Sequence, residues 1–283
     1  AALAAMLGAA LIGLAPILVR LSELGPQATN LWRFLFALPI LGIMAAQAPK
    51  PAARQVGWLV LAGGLVGFEL SLWAAALFLT TVTNAPLMSN MTPVAAALFG
   101  WVLFRERLAN AAILGGLAAL TGAVALAVGR AQTGVGPSSV EAGWMGDGLG
   151  LLSALGYAGY LLIVRSLGAK VSVWAVMFWA TLSAAVYALC VSLIMGGQLV
   201  PRTAAGWAVL VTLGLLVQLG GQGLIAYGVG RLPIAASTVL LWMQPLAAAA
   251  LSWALFGEAL GPLALFGACL ILAGVFVVQR ARS

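Results

Sequence analysis

The sequence predicts an all-α polytopic membrane protein: ten transmembrane helices, built as two inverted five-helix repeats, with both termini cytoplasmic. Three observations carry that expectation. The chain is 64% hydrophobic and 7% charged over 283 residues, whereas a soluble domain carries about a quarter charged residues. Ten apolar segments approach the roughly 20 residues that a helix needs to cross the hydrocarbon. One segment is written twice, as MTPVAAALFGWVLFRERL at 91–108 and as MQPLAAAALSWALFGEAL at 243–260.

The expected spans run in order over 2–20, 27–47, 56–79, 84–104, 109–129, 147–165, 171–195, 205–229, 233–256 and 261–279. Their connections are short and turn-like, among them SELGPQ, QAPKPAARQ and GRLP. The longest, RAQTGVGPSSVEAGWMG at 130–146, is rich in Gly and Ser and reads as a linker between a first unit at 1–129 and a second at 147–283. No stretch reads as a secretory leader with a cleavage site.

Orientation follows from counting Lys and Arg in the loops. With the N-terminus inside, the inner loops hold Lys50, Arg54, Arg105, Arg107, Arg165, Lys170, Arg231, Arg280 and Arg282, and the outer loops hold only Arg20, Arg130 and Arg202. The thirteenth base, Arg33, falls within the second span. The net charge of +7 is spread between apolar runs and not gathered into a basic patch, so a nucleic-acid partner is not expected. Cys190 and Cys269 lie in apolar runs without metal-ligand spacing, and there is no histidine. They read as small core residues, and no metal or other cofactor is implied.

An offset of 152 residues carries Met91 to Met243, Pro93 to Pro245, Trp101 to Trp253, Glu106 to Glu258, Gly115 to Gly267 and Gly122 to Gly274. Five spans per unit is an odd number, so the second copy enters the membrane inverted. Arg105 and Arg107 then face inside, where bases are retained, and their counterparts Gly257 and Ala259 face outside. Inverted repeats of this kind mark secondary transporters with a central site between the repeats.

These two stretches, together with NLWRFLFA at 30–37, resemble the EamA motifs of the ten-helix branch of the drug/metabolite transporter superfamily, over essentially the whole chain. Within it the sequence looks closest to the YddG-like exporters of aromatic and other neutral amino acids. The resemblance implies a basket of helices around a cavity, with helices 5 and 10 at the periphery. A mid-helix acid at Glu69 is not a general feature of that family.

An ionised acid at a helix centre costs roughly 2.5–3.5 kcal/mol on insertion scales, so Glu69 is read as a functional residue that binds a substrate ammonium or takes up a coupling proton. A structural acid, protonated or paired with Arg33, is the plainer alternative. Trp73 lies one turn on and shares its face. Pro93 and Pro245 each remove a helix hydrogen bond and crowd the carbonyls of Ser89 and Leu241, marking candidate hinges. Asn84, Ser89 and Asn90 surround the first proline, and Thr238, Trp242 and Gln244 the second. Tyr157 and Tyr160, and Gln218 and Gln222, make polar stripes on otherwise apolar spans. Glue between helices competes with a cavity role for each polar residue. Glu106 and Glu258 are read as caps for the helix that follows, with gating contacts as the alternative.

The expected function is export of small neutral or zwitterionic metabolites, amino acids foremost, by alternating access across the inner (plasma) membrane of a bacterium. The expected partners are a small-molecule substrate, the lipid bilayer and, through Glu69, a proton. A nucleotide-sugar or sugar-phosphate carrier is the alternative, although it wants several intramembrane bases. A membrane-embedded enzyme is not expected without histidine or a carboxylate cluster.

Overall fold

The computed structural model describes residues 2–105, 109–134, 136, 139–167, 170–229 and 243–282. Among them the chain is helical and has no strand. Seven helices are long and apolar enough to cross a membrane: Pro26–Ala46, Ala53–Leu79, Asn110–Thr133, Val140–Leu167, Val173–Met195, Ala204–Ile225 and Pro262–Arg280. Two shorter apolar stretches, Met6–Arg20 and Gln244–Phe256, accompany them. In chain order the elements are α1 Ala2–Gly13, α2 Ala15–Arg20, α3 Pro26–Ala46, α4 Ala53–Leu79, α5 Asn84–Ser89, α6 Thr92–Phe104, α7 Asn110–Thr133, α8 Val140–Leu167 and α9 Val173–Met195. Then come α10 Ala204–Val211, a π-helical stretch Thr212–Gly221, α11 Gln222–Val229, α12 Met243–Phe256 and α13 Pro262–Arg282.

Two expected spans are broken, and proline chemistry explains both. Pro16 lacks an N–H, and the helix interrupts at Leu14, whose amide donates to Leu11 O in a tightened turn at 3.1 Å. Pro93 does the same to the segment over 84–104: α5 ends at Ser89 and α6 starts at Thr92. The Ser89 carbonyl that Pro93 cannot reach is taken by the Thr92 hydroxyl, which donates at 2.8 Å. The backbone polar group is thus satisfied without an amide, as it must be at membrane depth. The stretch read as a linker is shorter than expected. Helix α7 runs through Thr133 and α8 begins at Val140, so Asp147 stands two turns inside a helix.

The most intimate pair is α7 with α13, and it is held by small residues. A Cβ added at Gly122 would come 2.7 Å from both Gly267 O and Ile271 N, and one at Gly115 would come 2.7 Å from Gly274 O. The helices are antiparallel, and each glycine of one meets the counterpart of the other glycine under the 152-residue offset. Backbone atoms cannot swing aside as a side chain can, so Gly122→Ala is expected to lower the thermal midpoint in detergent, at a cost of about 1–3 kcal/mol for overpacking. Gly64→Ala, where nothing lies within 4 Å of the new Cβ, is the control and is expected to be neutral or stabilising. Equal midpoints for the two variants would refute the close approach.

A central cavity closed at one end

Helices α3, α4, α6, α8, α9, the π stretch and α12 surround a cavity of about 690 Å³, within the range of sites that hold a small molecule. Glu69 and Trp73 reach it from α4, Tyr157 and Tyr160 from α8, Gln218 and Gln222 from the π stretch and α11, and Gln244 and Pro245 from α12. Ser89, Asn90, Thr92 and Pro93 contribute the bend of the broken segment. Arg33 enters from α3. Tyr157 and Tyr160 are stacked with ring centroids 5.5 Å apart, and with Trp73 they form an aromatic wall. The remaining lining is mostly apolar, including Val66, Leu70, Val176 and Met177, with Thr181 and Gln279 the polar exceptions.

Arg33 and Glu69 attract each other but do not meet as an ion pair or a hydrogen bond. Glu69 is 9% exposed and makes no hydrogen bond or ion pair among the described residues. Arg33 is 3% exposed and donates from Nε to Gln218 Oε1 at 2.8 Å. Ser89 is engaged sideways, its hydroxyl 2.6 Å from that of Ser153.

The cavity extends toward Val171, Val173 and Gln279 and stops short of the opposite end, where two buried ionic clusters shut the bundle. In the first, Arg20 Nη1 lies 3.3 Å from Glu258 Oε1, and Arg20 Nη2 donates to Thr80 O at 2.6 Å. The other oxygen of Glu258 accepts from the Val82 amide at 2.8 Å and from the Ser252 hydroxyl. In the second, Asp147 accepts from Arg130 Nε at 3.1 Å, from the Thr80 hydroxyl at 2.5 Å and from Asn84 Nδ2 at 3.1 Å. Gly143 lies directly against the Arg130 guanidinium, and a side chain there would displace it. Free space between the clusters is about 10 Å³, room for about one water. An exposed strap adds to this end: Glu23 accepts from the Thr203 hydroxyl and from the Arg202 amide. Those bonds hold the Glu23 carboxyl below the usual carboxylate range.

A family model described as the EamA-like transporter family matches residues 1–128 and 144–280. The chain belongs to the EamA-like transporter family. A curated relative from Streptantibioticus cattleyicolor, named a probable terminal-alkyne amino-acid exporter, is 30% identical over 270 residues, covering 93% of this chain and 87% of its own length. A solved crystal structure of a protein matches with a TM-score of 0.62 at 22% identity, over 100% of this chain and 97% of that one, and it shows the fold alone. The protein is a multi-pass membrane transporter and not an enzyme.

In this EamA-like transporter, eleven of the sequence-expected residues line one cavity: Glu69, Trp73, Ser89, Asn90, Pro93, Tyr157, Tyr160, Gln218, Gln222, Gln244 and Pro245. Asn84 does not. It is turned to Asp147 instead, because the break before α6 directs α5 onto α8. Thr238 and Trp242 lie outside the described residues, as do Leu241 and Glu106. Glu258 differs from the expected cap: Gly257 turns the chain with φ +66°, and the carboxylate takes an amide from Val82 and a guanidinium from Arg20, not the amides of α13. Asp147, Arg130 and Arg20 escaped sequence reasoning as site residues. An acid among only six in the whole chain, placed beside a glycine-rich apolar run, was the available signal for Asp147.

Proposed function

We propose that this EamA-like transporter exports small neutral or zwitterionic amino acids across a bacterial inner membrane by alternating access. In this reading the chain has ten spans in two inverted repeats, units 1–129 and 147–283 joined at 130–146, and cytoplasmic termini. The cavity faces the cytoplasm, the ionic clusters close the outer side, and Pro93 and Pro245 are the hinges.

The observation that carries the substrate class is Glu69, a buried acid lining the cavity with no hydrogen bond or ion pair among the described residues, beside Trp73, Tyr157 and Tyr160. An unpaired intramembrane acid is expensive and is offset when a bound cation meets it. An ammonium supplies that cation, and Trp73, Tyr157 and Tyr160 accommodate an apolar side chain. The name of the curated relative supports the same class. Phosphorylated sugars fit less well, since Arg33 is the single base lining the cavity among the described residues and Glu69 repels an anion.

The test is counterflow of a labelled amino-acid panel in proteoliposomes, with Trp73→Ala as the cavity control. Accumulation of sugar phosphates and none of the amino acids would overturn the assignment. Glu69→Gln separates the two roles of the acid. Loss of transport at every pH marks an ammonium site, whereas persistent exchange that no longer responds to a pH gradient marks the proton site. If the variant exports with unchanged pH dependence, Glu69 has no part in coupling.

A further inference from the structure

The guanidinium of Arg33 is built into the cavity wall and left incomplete. Its Nε is taken by Gln218, which the wide turns of the π stretch bring against α3; a Cβ at Gly214 there would lie 2.5 Å from Phe36 Cβ. Neither Nη atom donates to a described residue, and Nη1 is buried without any partner. A buried donor left unpaired costs the desolvation of that group, more for a charged one. Using Nε to anchor the plane leaves Nη2 as the accessible donor with Nη1 sealed behind it, a charged edge that can hydrogen-bond a carboxylate. Glu69 lines the same cavity and likewise makes no hydrogen bond or ion pair among the described residues. Two opposite charges that do not touch keep part of their attraction but make no hydrogen bonds to each other to offset their burial. A ligand that carries both complementary charges supplies the missing contacts at both ends.

Resting on the amino-acid reading above, we infer that Arg33 binds the α-carboxylate of the substrate and that Gln218 is the residue that positions it. Glu69 then takes the ammonium, and the demand for both charges selects amino acids over amines and over carboxylic acids. Gln218 never touches the substrate in this scheme; it fixes the plane of the guanidinium.

The experiment uses full-length protein in proteoliposomes with L-phenylalanine and L-leucine as labelled substrates. Unlabelled competitors are the same amino acid, its methyl ester and its N-acetyl derivative. Wild-type counterflow is expected to be inhibited by the amino acid at least about tenfold more effectively than by either derivative, because a site built to hydrogen-bond a group rejects analogues that lack it. In Arg33→Gln the preference over the methyl ester is expected to collapse toward one, while the preference over the N-acetyl compound persists. Gln218→Leu is expected to raise KM by about tenfold with a much smaller change in kcat, since it disorders the guanidinium without removing it. Competition ratios are read within one preparation, and the derivatives are tested on wild type, so a poorly folding variant leaves the inference open to refutation. A methyl ester that competes as well as its parent amino acid overturns the inference and leaves amino-acid export standing. If wild type moves neither amino acid but exchanges phosphorylated sugars, both fall together.

Discussion

Asp147→Ala is expected to cost about 3–5 kcal/mol of stability, the penalty for breaking a buried ion pair from one side. The carboxylate accepts from Arg130, Thr80 and Asn84, and both charged partners are 4% exposed. Alanine leaves the Arg130 guanidinium without its counter-charge and two neutral donors without their acceptor. Each unmade bond carries its own desolvation cost. At roughly 2–4 °C per kcal/mol for a chain of this size class, the unfolding midpoint in detergent should fall by about 6–20 °C. Asp147→Asn restores an acceptor but not the charge, so it should recover only part of the loss. The double variant Arg130→Met/Asp147→Leu removes both charges and should recover part of it, because no guanidinium is stranded although Thr80 and Asn84 still lack their acceptor. A midpoint for Asp147→Ala within about a degree of wild type would show that the cluster does not hold this end together.

Glu258→Ala should act on conformation more than on folding. Glu258 belongs to the second half of the chain, and its partners Arg20, Thr80 (through Arg20) and Val82 belong to the first. Any opening of this end has to separate them, so the carboxylate stabilises the closed arrangement specifically. Removing it strands a guanidinium of 12% exposure and a buried amide. A loss of even about 3 kcal/mol changes the closed-to-open ratio by more than about a hundredfold. The measurement is labelling of a cysteine placed at Asn90, in the cavity, by an impermeant maleimide added from the side that Arg20 faces. Wild type should label slowly and Glu258→Ala fast, with Glu258→Gln between them because it keeps an acceptor for Val82. Indistinguishable labelling rates would remove the cluster from any gating role. Lysine at Arg20 should behave like a partial loss, since an ammonium cannot serve the carboxylate and the Thr80 carbonyl with one planar fork.

What could be read from the chain and what could not divide along sequence separation. Periodicity and length pointed to the spans because a helix buries or exposes its residues within one turn of each other. The prolines were legible for the same reason, as the freed carbonyl lies four residues back, and Ser89 is where the break falls. Glu69, Trp73, Tyr157 and Tyr160 stood out as polar or aromatic faces on apolar helices. Pairings across the bundle were hidden: Arg33 meets Gln218 over 185 residues, and Arg20 meets Glu258 over 238. No local pattern encodes such a distance. Arg20 and Arg130 were counted as loop charges, yet both are held in ion pairs, Arg130 buried and Arg20 partly so, since a base at a span end reads alike whether it meets water or a carboxylate. Asp147 was placed at a boundary because α8 begins seven residues earlier than its apolar run suggests. The Gly and Ser of that stretch weaken the hydropathy signal without preventing a helix.

The close contact of α7 with α13 has a mechanical corollary. Backbone meets backbone at three successive levels, Gly115 with Gly274, Gly122 with Gly267 and Gly129 with Ala264. Interlocked levels of this kind resist sliding, since a shift of one level would drive side chains into spaces sized for hydrogen atoms. Rotation about the shared line of contact keeps all three levels engaged. One of these helices comes from each of the two family-matched segments, so the alternating access proposed above would have to turn them about this contact and not slide them along it.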